Sequence, residues 1–469
     1  MRSAIVIVAL AFVSGCQLAP AHVRPEPPTP QAYPAEFTGD TTLGARASEV
    51  GWRSFFVDPR LEALIATALT NNRDLVIAVA QVEEAAGIFR IQRSDRLPTL
   101  NLGANASRSL IGPGGVVGAP IGAGSQTIDR YAVDASVSAF ELDFWGRVRN
   151  LSEAARSQFL ATVEAQRAFR LSLIRQVAST YLFSLEASER LRLAEATVAS
   201  RREGLRIARV RFDAGITSAL DFRQAESLLT QAETELAGLR LAKTQSDNAL
   251  MVLVGGPITT ALPDALPLAQ QSSPVTLGAG LPSELLVSRP DILAAEEQLR
   301  ASRANIGAAR AAFFPSISLT GSFGFASSEL TNLVGANGRA WSFGPSINLP
   351  IFDFGRKRAN LSVAETRKNI AVANYERTIQ TAFQEVSDAL AGRRFLAEQV
   401  AAQARGTQAQ RQIAELARIR YNEGVVSFIE VLDAERNLFT AEQALLQLRR
   451  AEVDNLVALY VVLGGGMVE

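Results

Sequence analysis

The chain has 469 residues with 47 basic and 47 acidic side chains, so its charge gives no indication of a nucleic acid partner. Its single cysteine, Cys16, and single histidine, His22, lie near the N-terminus and leave little material for a metal site or a Cys/His nucleophile. Hydrophobic residues make up 48% of the chain, yet beyond the N-terminus no apolar run reaches the ~18 residues of a membrane-spanning helix. We therefore expect neither a metal cofactor nor a helical membrane span.

The first residues are predicted to be a targeting segment. Residues 1–15 read as a signal peptide whose apolar stretch, Ala4–Val13, is too short to cross a bilayer. This stretch leads into Ser14-Gly15-Cys16, which resembles the lipobox of bacterial lipoproteins. The resemblance implies cleavage before Cys16 and a covalent lipid (palmitate) on it, with no other cofactor; an ordinary cleavage site beside an incidental cysteine is the alternative. Residues 16–57 would then form a lipidated, Pro-rich tether.

A long internal repeat organises the rest of the chain. Residues 211–256 match residues 420–465 without a gap at a spacing of 209 positions, and Gly215 meets Gly424. Such a repeat predicts two copies of one structural unit. We predict a first repeat over 58–256, an inter-repeat linker over 257–282 and a second repeat over 283–469.

Each repeat begins with a predicted helix and continues with a predicted pair of strands. The helices start at Asp58 and at about Ser283, and both stop at a proline, Pro98 and Pro315. After each proline the hydrophobic period changes to two, which is typical of strands. The strand pairs are predicted over residues 97–142 and 315–351.

The strand pattern favours a transmembrane β-barrel. Strands of about ten residues with one apolar and one small-polar face have the expected length and alternation. In the second pair, Trp341, Phe343, Phe323 and Phe325 are expected to face lipid, with Ser318, Ser322, Ser342 and Ser346 facing the lumen. A soluble sheet packed on helices is the alternative. Because four strands cannot close a barrel and open edges are not tolerated in lipid, the chain is expected to oligomerise, and three chains would supply twelve strands.

Long helical hairpins follow the strand pairs. Arg147–Ala214 and Arg356–Glu423 lack proline, and each could form a helix of roughly 100 Å at a rise of 1.5 Å per residue. Gly215 and Gly424 follow where a helix C-terminus needs a left-handed residue. The returning segments carry apolar residues at spacings of three and four, as in a coiled coil. The predicted fold class is therefore mainly α with a transmembrane β-barrel: internally duplicated, with coiled-coil hairpins and four strands per chain.

The second hairpin resembles a known family. The sequence RYNEGVVSFIEVLDAERNLFTAEQALL, from Arg420 to Leu446, is typical of outer membrane factors, the TolC-like channels of Gram-negative efflux systems. The lipobox and the C-terminal glycines are similar to the lipoprotein branch that serves resistance-nodulation-division pumps. The resemblance implies a homotrimer with a twelve-stranded barrel in the outer membrane and an α-helical tunnel in the periplasm. It also implies a passive exit duct for drugs or other toxic small molecules, driven by an inner-membrane efflux pump through a periplasmic adaptor (membrane fusion) protein.

Other functions are alternatives to the one that this resemblance implies. The outer membrane channel of a type I protein secretion system is one alternative, and a periplasmic coiled-coil adaptor or scaffold lipoprotein is another. An adaptor is not expected to contain two pairs of alternating ten-residue strands. An enzyme is not expected either, because carboxylates such as Glu226 and Glu233 lie beside arginines on helix faces, and the run Gly112–Gly124 lacks the Lys-Ser/Thr of a phosphate-binding loop.

The resemblance also implies a gate at the periplasmic aperture. Glu430, Asp433 and Arg436 follow the second hairpin turn and Tyr421 precedes it, whereas the first hairpin lacks the pair equivalent to Asp433 and Arg436. In similar channels such charges and a neighbouring tyrosine link protomers and hold the entrance shut. The alternative is an ordinary helix pair of residues three positions apart.

Overall fold

The computed structural model describes residues 17–38, 44–112, 125–258 and 262–468. The predicted signal peptide, Cys16 and most of the glycine-rich run after Gly112 lie outside these residues. The chain divides into two compact units, which we call the strand unit (residues 1–25, 83–162 and 295–374) and the helical unit (residues 26–82, 163–294 and 375–469).

The duplicated order of elements follows the predicted repeat. The main helices are α1 (Pro59–Asn71), α2 (Arg73–Ser94), α3 (Arg147–Asp213), α4 (Ala219–Val254), α5 (Pro282–Ser288), α6 (Pro290–Ala311), α7 (Arg356–Asn422) and α8 (Phe428–Val462). The strands are β1 (Leu100–Ile111), β2 (Gln126–Glu141), β3 (Ser316–Ser327) and β4 (Arg339–Asn348). Short helical turns lie at Ala35–Thr38, Ala47–Glu49, Trp52–Phe55, Leu268–Gln270, Leu330–Asn332 and Ala336–Gly338.

The strand unit contains one antiparallel sheet with the order β1-β2-β3-β4. Phe323 lies opposite Trp341 and Ala135, and Ser322 lies opposite Ser342, so the aromatic and serine side chains occupy opposite faces. The Oγ atoms of Ser322 and Ser342 are 2.7 Å apart, in a hydrogen bond across the strands. The two faces of the sheet are therefore those that the alternation in the sequence predicts.

Helices of the described residues do not cover this sheet. Trp341, Phe343 and Phe323 expose 75%, 65% and 64% of their surface, and every side chain of β4 is exposed. A soluble sheet would bury such a face, because its apolar area is what stabilises it in water. The alternative of a soluble sheet packed on helices is wrong.

The helix predicted at the start of each repeat is broken in two. The break falls at Asn72 between α1 and α2, and at Arg289 between α5 and α6. The Asn72 side chain donates to the carbonyl oxygen of Leu253 (2.8 Å), and Arg289 donates to that of Val462 (3.2 Å). Leu253 and Val462 are equivalent positions of the repeat. Each break therefore brings a side-chain donor to a carbonyl at the C-terminus of the returning helix, which has no partner within that helix. Periodicity alone could not predict these breaks, because the hydrophobic pattern continues through them.

Residues 44–57 are not an extended tether, which corrects the predicted boundary at residue 57. Trp52 is completely buried, and the ring of Phe55 stacks on Tyr460 with centroids 4.0 Å apart. Asp58 is also buried and accepts hydrogen bonds from the Tyr181 hydroxyl and the Gln271 amide, both 2.6 Å away. Burying large aromatic groups stabilises this segment in the core of the helical unit.

Candidate functional site

The hairpin turns have the geometry that the sequence predicts. Gly215 has φ = 71° and Gly424 has φ = 75°, which is the left-handed region. The amide of Ile216 donates to the carbonyl of Arg211 (2.8 Å), and the amide of Val425 donates to that of Arg420 (2.9 Å). These bonds close a Schellman motif at the end of each long helix, so both turns reverse the chain in the same way.

The predicted gate residues all lie near the second turn, in the helical unit. Glu430, Asp433 and Arg436 lie in the first turns of α8, and Tyr421 lies at the end of α7. Arg436 pairs with Asp433 within the helix, and Arg420 donates to Glu430 over 2.9 Å. These four charged side chains are about half exposed, so each pair contributes only ~0.2–1 kcal/mol. Within one chain the carboxylates therefore make weak local ion pairs.

Tyr421 connects the two hairpins of the chain. Its hydroxyl accepts a hydrogen bond from Arg211, and the guanidinium of Arg211 lies over its ring, 5.1 Å from the centroid. Arg211 lies on the first hairpin at the repeat position equivalent to Arg420. The sequence predicted a role for Tyr421 but not its contact with Arg211. The repeat was the available signal, because it places the two hairpin turns at equivalent positions.

A second contact between the hairpins lies at the single glycine of the first long helix. A Cβ atom on Gly204 would lie 3.3 Å from the Phe428 ring, so alanine here would require the ring to shift by a few tenths of an ångström. The ring also packs against Ala208 and Leu432. Sequence analysis missed this contact because Gly204 lies in a helix that needs no glycine for its own conformation.

Arg201 supplies a third contact, in a buried position. Arg201 is 5% exposed, and its guanidinium lies 3.2 Å from the carboxylate of Glu435, which also pairs with Arg418. Burial lowers the pKa of Arg201, because the charged form loses water, and the nearby Glu435 opposes this effect. Removing Glu435 would leave the buried charge of Arg201 without its partner, so breaking this pair costs more than breaking the exposed pairs of the turn.

Ion pairs within each hairpin are duplicated with the repeat. Arg202 pairs with Glu233 in the first hairpin (3.1 Å), and Arg411 pairs with Glu442 in the second (2.6 Å). Both pairs join the long helix to the returning helix, and their members are 209 positions apart. The interpretation of the carboxylates as ion-pair partners is confirmed for Glu233 and also for Glu226, which pairs with Arg223 over 2.6 Å.

The residues that the structure describes around the second turn are charged, aromatic and small apolar side chains. Within them, histidine, cysteine and carboxylate side chains form no group that could hold a metal ion. None of the helices in the described ranges is long and apolar enough to cross a membrane. The site consists of weak exposed ion pairs at a turn, next to buried contacts that join the two hairpins.

Comparisons with known proteins agree with this architecture. The family model described as outer membrane efflux protein matches residues 64–256 and 281–465. The cation efflux system protein CusC of Escherichia coli O6:H1 is 42% identical over 98% of this chain and 97% of its own length. The solvent efflux pump outer membrane protein SrpC of Pseudomonas putida is 44% identical over 98% and 97%, respectively. The open state of the Neisseria gonorrhoeae MtrE outer membrane channel superposes with a TM-score of 0.86 at 38% identity, over 97% of this chain and 99% of MtrE.

Proposed function

Because this chain belongs to the outer membrane efflux protein family, we propose that it works as a homotrimer that receives cargo from an inner-membrane pump through a periplasmic adaptor. The chain is an outer membrane efflux channel, located in the outer membrane. The alternative of an adaptor or scaffold lipoprotein is therefore wrong. The family description and the names of the relatives state efflux, and they do not mention type I protein secretion.

The open edges of the sheet are the observation that carries the proposed trimer. In the described chain β1 pairs only with β2 and β4 pairs only with β3, so each outer strand has one unpaired edge. Unpaired backbone groups are too costly to leave in lipid. Since β1 and β4 run antiparallel, β4 of one chain can pair with β1 of the next, and three chains close a barrel of twelve strands.

The height of the apolar face supports a membrane position for this barrel. On β3 this face runs from Ile317 to Phe325, a distance of about 27 Å at ~3.4 Å per residue. At a tilt of about 45° it is roughly 19 Å high, which is somewhat less than the ~25 Å apolar band of outer membrane barrels. Charged side chains follow at its outer end: Arg339 lies opposite Phe325, and Arg108 pairs with Asp129 two residues beyond Tyr131.

We propose further that Tyr421, Glu430, Asp433 and Arg436 form the periplasmic gate. Their ion pairs within the chain are weak and exposed, so exchanging them for pairs with a neighbouring chain costs little. Three equivalent links around the trimer axis would then add up to a closed entrance. The buried pair of Arg201 and Glu435 gives support of another kind, because it ties the second hairpin to the first beside the proposed gate.

Single-channel conductance in planar bilayers tests the gate. Asp433→Ala combined with Arg436→Ala is expected to raise the resting conductance several-fold without unfolding the trimer. The matched control is Glu203→Ala with Arg206→Ala, which removes another exposed pair three residues apart (2.6 Å) and should leave the conductance unchanged. An unchanged, low conductance of the folded Asp433/Arg436 variant would exclude these residues from the gate.

The proposed lipid on Cys16 has a separate test. Replacing Cys16 by serine should block lipoprotein-type processing, which mass spectrometry of the mature N-terminus detects. The channel should still insert, because the sheet spans the membrane without the lipid. A wild-type mature chain without an acyl group would contradict lipidation and leave the channel function standing.

The cargo is proposed only as a broad class, drugs or other toxic small molecules. The relatives at 42% and 44% identity are named for cation efflux and solvent efflux. Since similarly related proteins bear such different names, we propose that the pump rather than this chain selects the cargo. Deleting this chain and its partner pump separately should sensitise cells to the same compounds, and different sensitivity profiles would contradict this assignment.

A further inference from the structure

Residues 17–25 lie along α6 in the strand unit, and we call this segment the strap. Arg310 donates to the carbonyl oxygen of Leu18 over 3.3 Å, near the C-terminal end of α6. Seven residues earlier, on the same face of the helix, Arg303 donates to the carbonyl oxygen of Val23 over 2.6 Å. The strap is therefore bound through its backbone, by arginines that lie on one face of α6.

The other end of the strap is attached to a buried carboxylate. The side chain of Glu296 is 4% exposed and accepts a hydrogen bond from Arg24 over 2.6 Å. Leu18 and Arg24 are six residues apart, which is about 20 Å in an extended chain. Their partners, Arg310 and Glu296, are 14 residues apart, which is about 21 Å on a helix. The two lengths agree, so the strap is extended and runs antiparallel to α6.

The surface of α6 has a cleft for the strap at Gly307. A Cβ atom on Gly307 would lie 2.8 Å from the backbone nitrogen of Ala19 and 2.7 Å from the Nδ2 atom of Asn150 on α3. Both distances are well inside the ~3.5–4.0 Å of an ordinary contact, so a larger residue would displace the strap or Asn150. Asn150 is 1% exposed and donates to the carbonyl oxygen of Gly146 over 2.7 Å, which holds it in place. The strap therefore lies where α6 of the second repeat packs on α3 of the first.

The features that bind the strap belong to the second repeat alone. Helix α2 is the equivalent of α6 at a spacing of 217 positions, at which Asp74 meets Asp291. Where α6 has Glu296, Arg303 and Gly307, α2 has valine, alanine and arginine. Helix α2 therefore lacks the carboxylate, the donor and the cleft. Because the shared architecture does not require these residues, we ascribe them to the binding of the strap.

The proline content of the strap favours docking. Pro20 and Pro25 restrict the free segment to extended conformations, so less conformational entropy is lost when it binds. Arg303 also donates to the carbonyl oxygen of Ala21 over 3.1 Å, so this one side chain binds two carbonyl groups of the strap. The same composition that predicts a free tether is therefore suited to a bound segment.

The strap begins at the end of α6 that leads into the sheet. Helix α6 ends at Ala311, and the apolar face of β3 begins six residues later, at Ile317. Arg310, the residue before this helix end, binds Leu18. The chain connection keeps Cys16, two residues before Leu18, within about 7 Å of it. The contacts of the strap therefore bring the proposed site of acylation close to the level at which the membrane-spanning sheet starts.

We propose that the strap is a positioning device for the lipid anchor. It fixes the acylated Cys16 beside the start of β3, where the two repeats of one chain meet, so that the acyl chains enter the bilayer at one defined place. A free tether over residues 17–43 would instead let the lipid move roughly 30 Å from the point at which the chain enters the core. The proposal rests on the lipid on Cys16 described under the proposed function.

A photoreactive fatty acid locates the acyl chains directly. Cells grown with a diazirine analogue of palmitate would carry it on Cys16, and mass spectrometry after illumination identifies peptides joined to the Cys16 peptide through the lipid. In the wild type these peptides should come mainly from the start of β3. Arg303→Ala removes two contacts of the strap and should lower their yield several-fold, in favour of links to phospholipid. The matched control, Arg156→Ala, removes an exposed arginine of α3 that pairs with Glu153 over 3.2 Å and should keep the wild-type yield.

A nitroxide label on the strap tests whether α6 or the lipid holds it. Val23→Cys places the label on a side chain that is 68% exposed and keeps the carbonyl that Arg303 binds. The electron paramagnetic resonance spectrum should show an immobilised label both with the lipid and in combination with Cys16→Ser. Gly307→Leu, which fills the cleft, and Arg303→Ala should each make the label mobile.

Three outcomes would contradict the proposal in distinguishable ways. A label that is immobilised with the lipid but mobile with Cys16→Ser would show that the lipid holds the strap, which reverses the proposed order. Cross-links to β3 that Arg303→Ala leaves unchanged, or cross-links to phospholipid alone in the wild type, would overturn the positioning role and leave lipidation standing. A mature chain without an acyl group on Cys16 would contradict lipidation itself, and the role of the strap would fail with it.

Discussion

Replacing Phe323 by arginine tests the orientation of the sheet in the membrane. Phe323 lies six residues from Ile317, which is about 14 Å in height at ~3.4 Å per residue and a tilt of about 45°. Arg339, which lies opposite Phe325, ends the band two residues in the other direction, about 5 Å away by the same geometry. Phe323 therefore lies between the middle and the outer end of the band, where arginine on the lipid face costs about 1–2 kcal/mol, between the midplane and interface values. In a trimer the total penalty is about 3–6 kcal/mol, which is a large part of the stability of a typical domain.

Ser322→Arg is the matched control, since it introduces the same side chain one residue away on the opposite face. It loses the hydrogen bond to Ser342, at a cost of about 1 kcal/mol, and places its charge toward the lumen. We expect Phe323→Arg to remove most of the heat-modifiable oligomer from outer membrane preparations, while Ser322→Arg assembles at nearly the wild-type amount. Equal amounts of both variants would refute the assignment of the aromatic face to lipid.

Two further predictions concern a turn and a contact of the N-terminal segment. Gly424→Ala should destabilise the chain by ~1–2 kcal/mol, because Gly424 has φ = 75°. Gly406→Ala, in a helical position with open space around it, should stabilise the chain by ~0.5–1 kcal/mol. Denaturant unfolding measures both free energies, and a change of the same sign for both variants would contradict the left-handed turn. Burial raises the pKa of Glu296, but hydrogen bonds from Arg24 and His22 outweigh this and hold it below its usual 4.5. The attachment of residues 17–25 to α6 through Glu296 should therefore be intact above pH 4.5 and weaken as the pH falls through the lowered pKa. Hydrogen exchange of residues 18–24 measures this attachment. Glu296→Gln should remove its pH dependence, and a dependence that persists in this variant would contradict the role of Glu296.

Local features of the sequence predicted the elements with little error. The long helices end at Asp213 and Asn422, one residue before the predicted limits, because Gly215 and Gly424 supply the left-handed residue that terminates them. The strands were recognisable because serine and aromatic residues alternate on opposite faces of one sheet. The break at Asn72 was missed because its contact is to a carbonyl at the end of a helix about 180 residues away. The break at Arg289 had a local signal that was overlooked, since Pro290 disfavours a helical conformation in the residue before it.

The candidate site likewise combines local features of the turns, which the sequence predicts, with contacts between the two hairpins, which it does not. The sequence by itself determined where the turns lie and which charged residues flank them, because turn geometry and i,i+3 pairs depend on residues close together in the chain. Only the tertiary structure decided that Arg211 reaches Tyr421, that the Phe428 ring packs against Gly204 and that Arg201 is buried against Glu435. These partners lie on different hairpins, and which side chains meet there depends on how two long helices pack over their whole length, a property that no local pattern encodes.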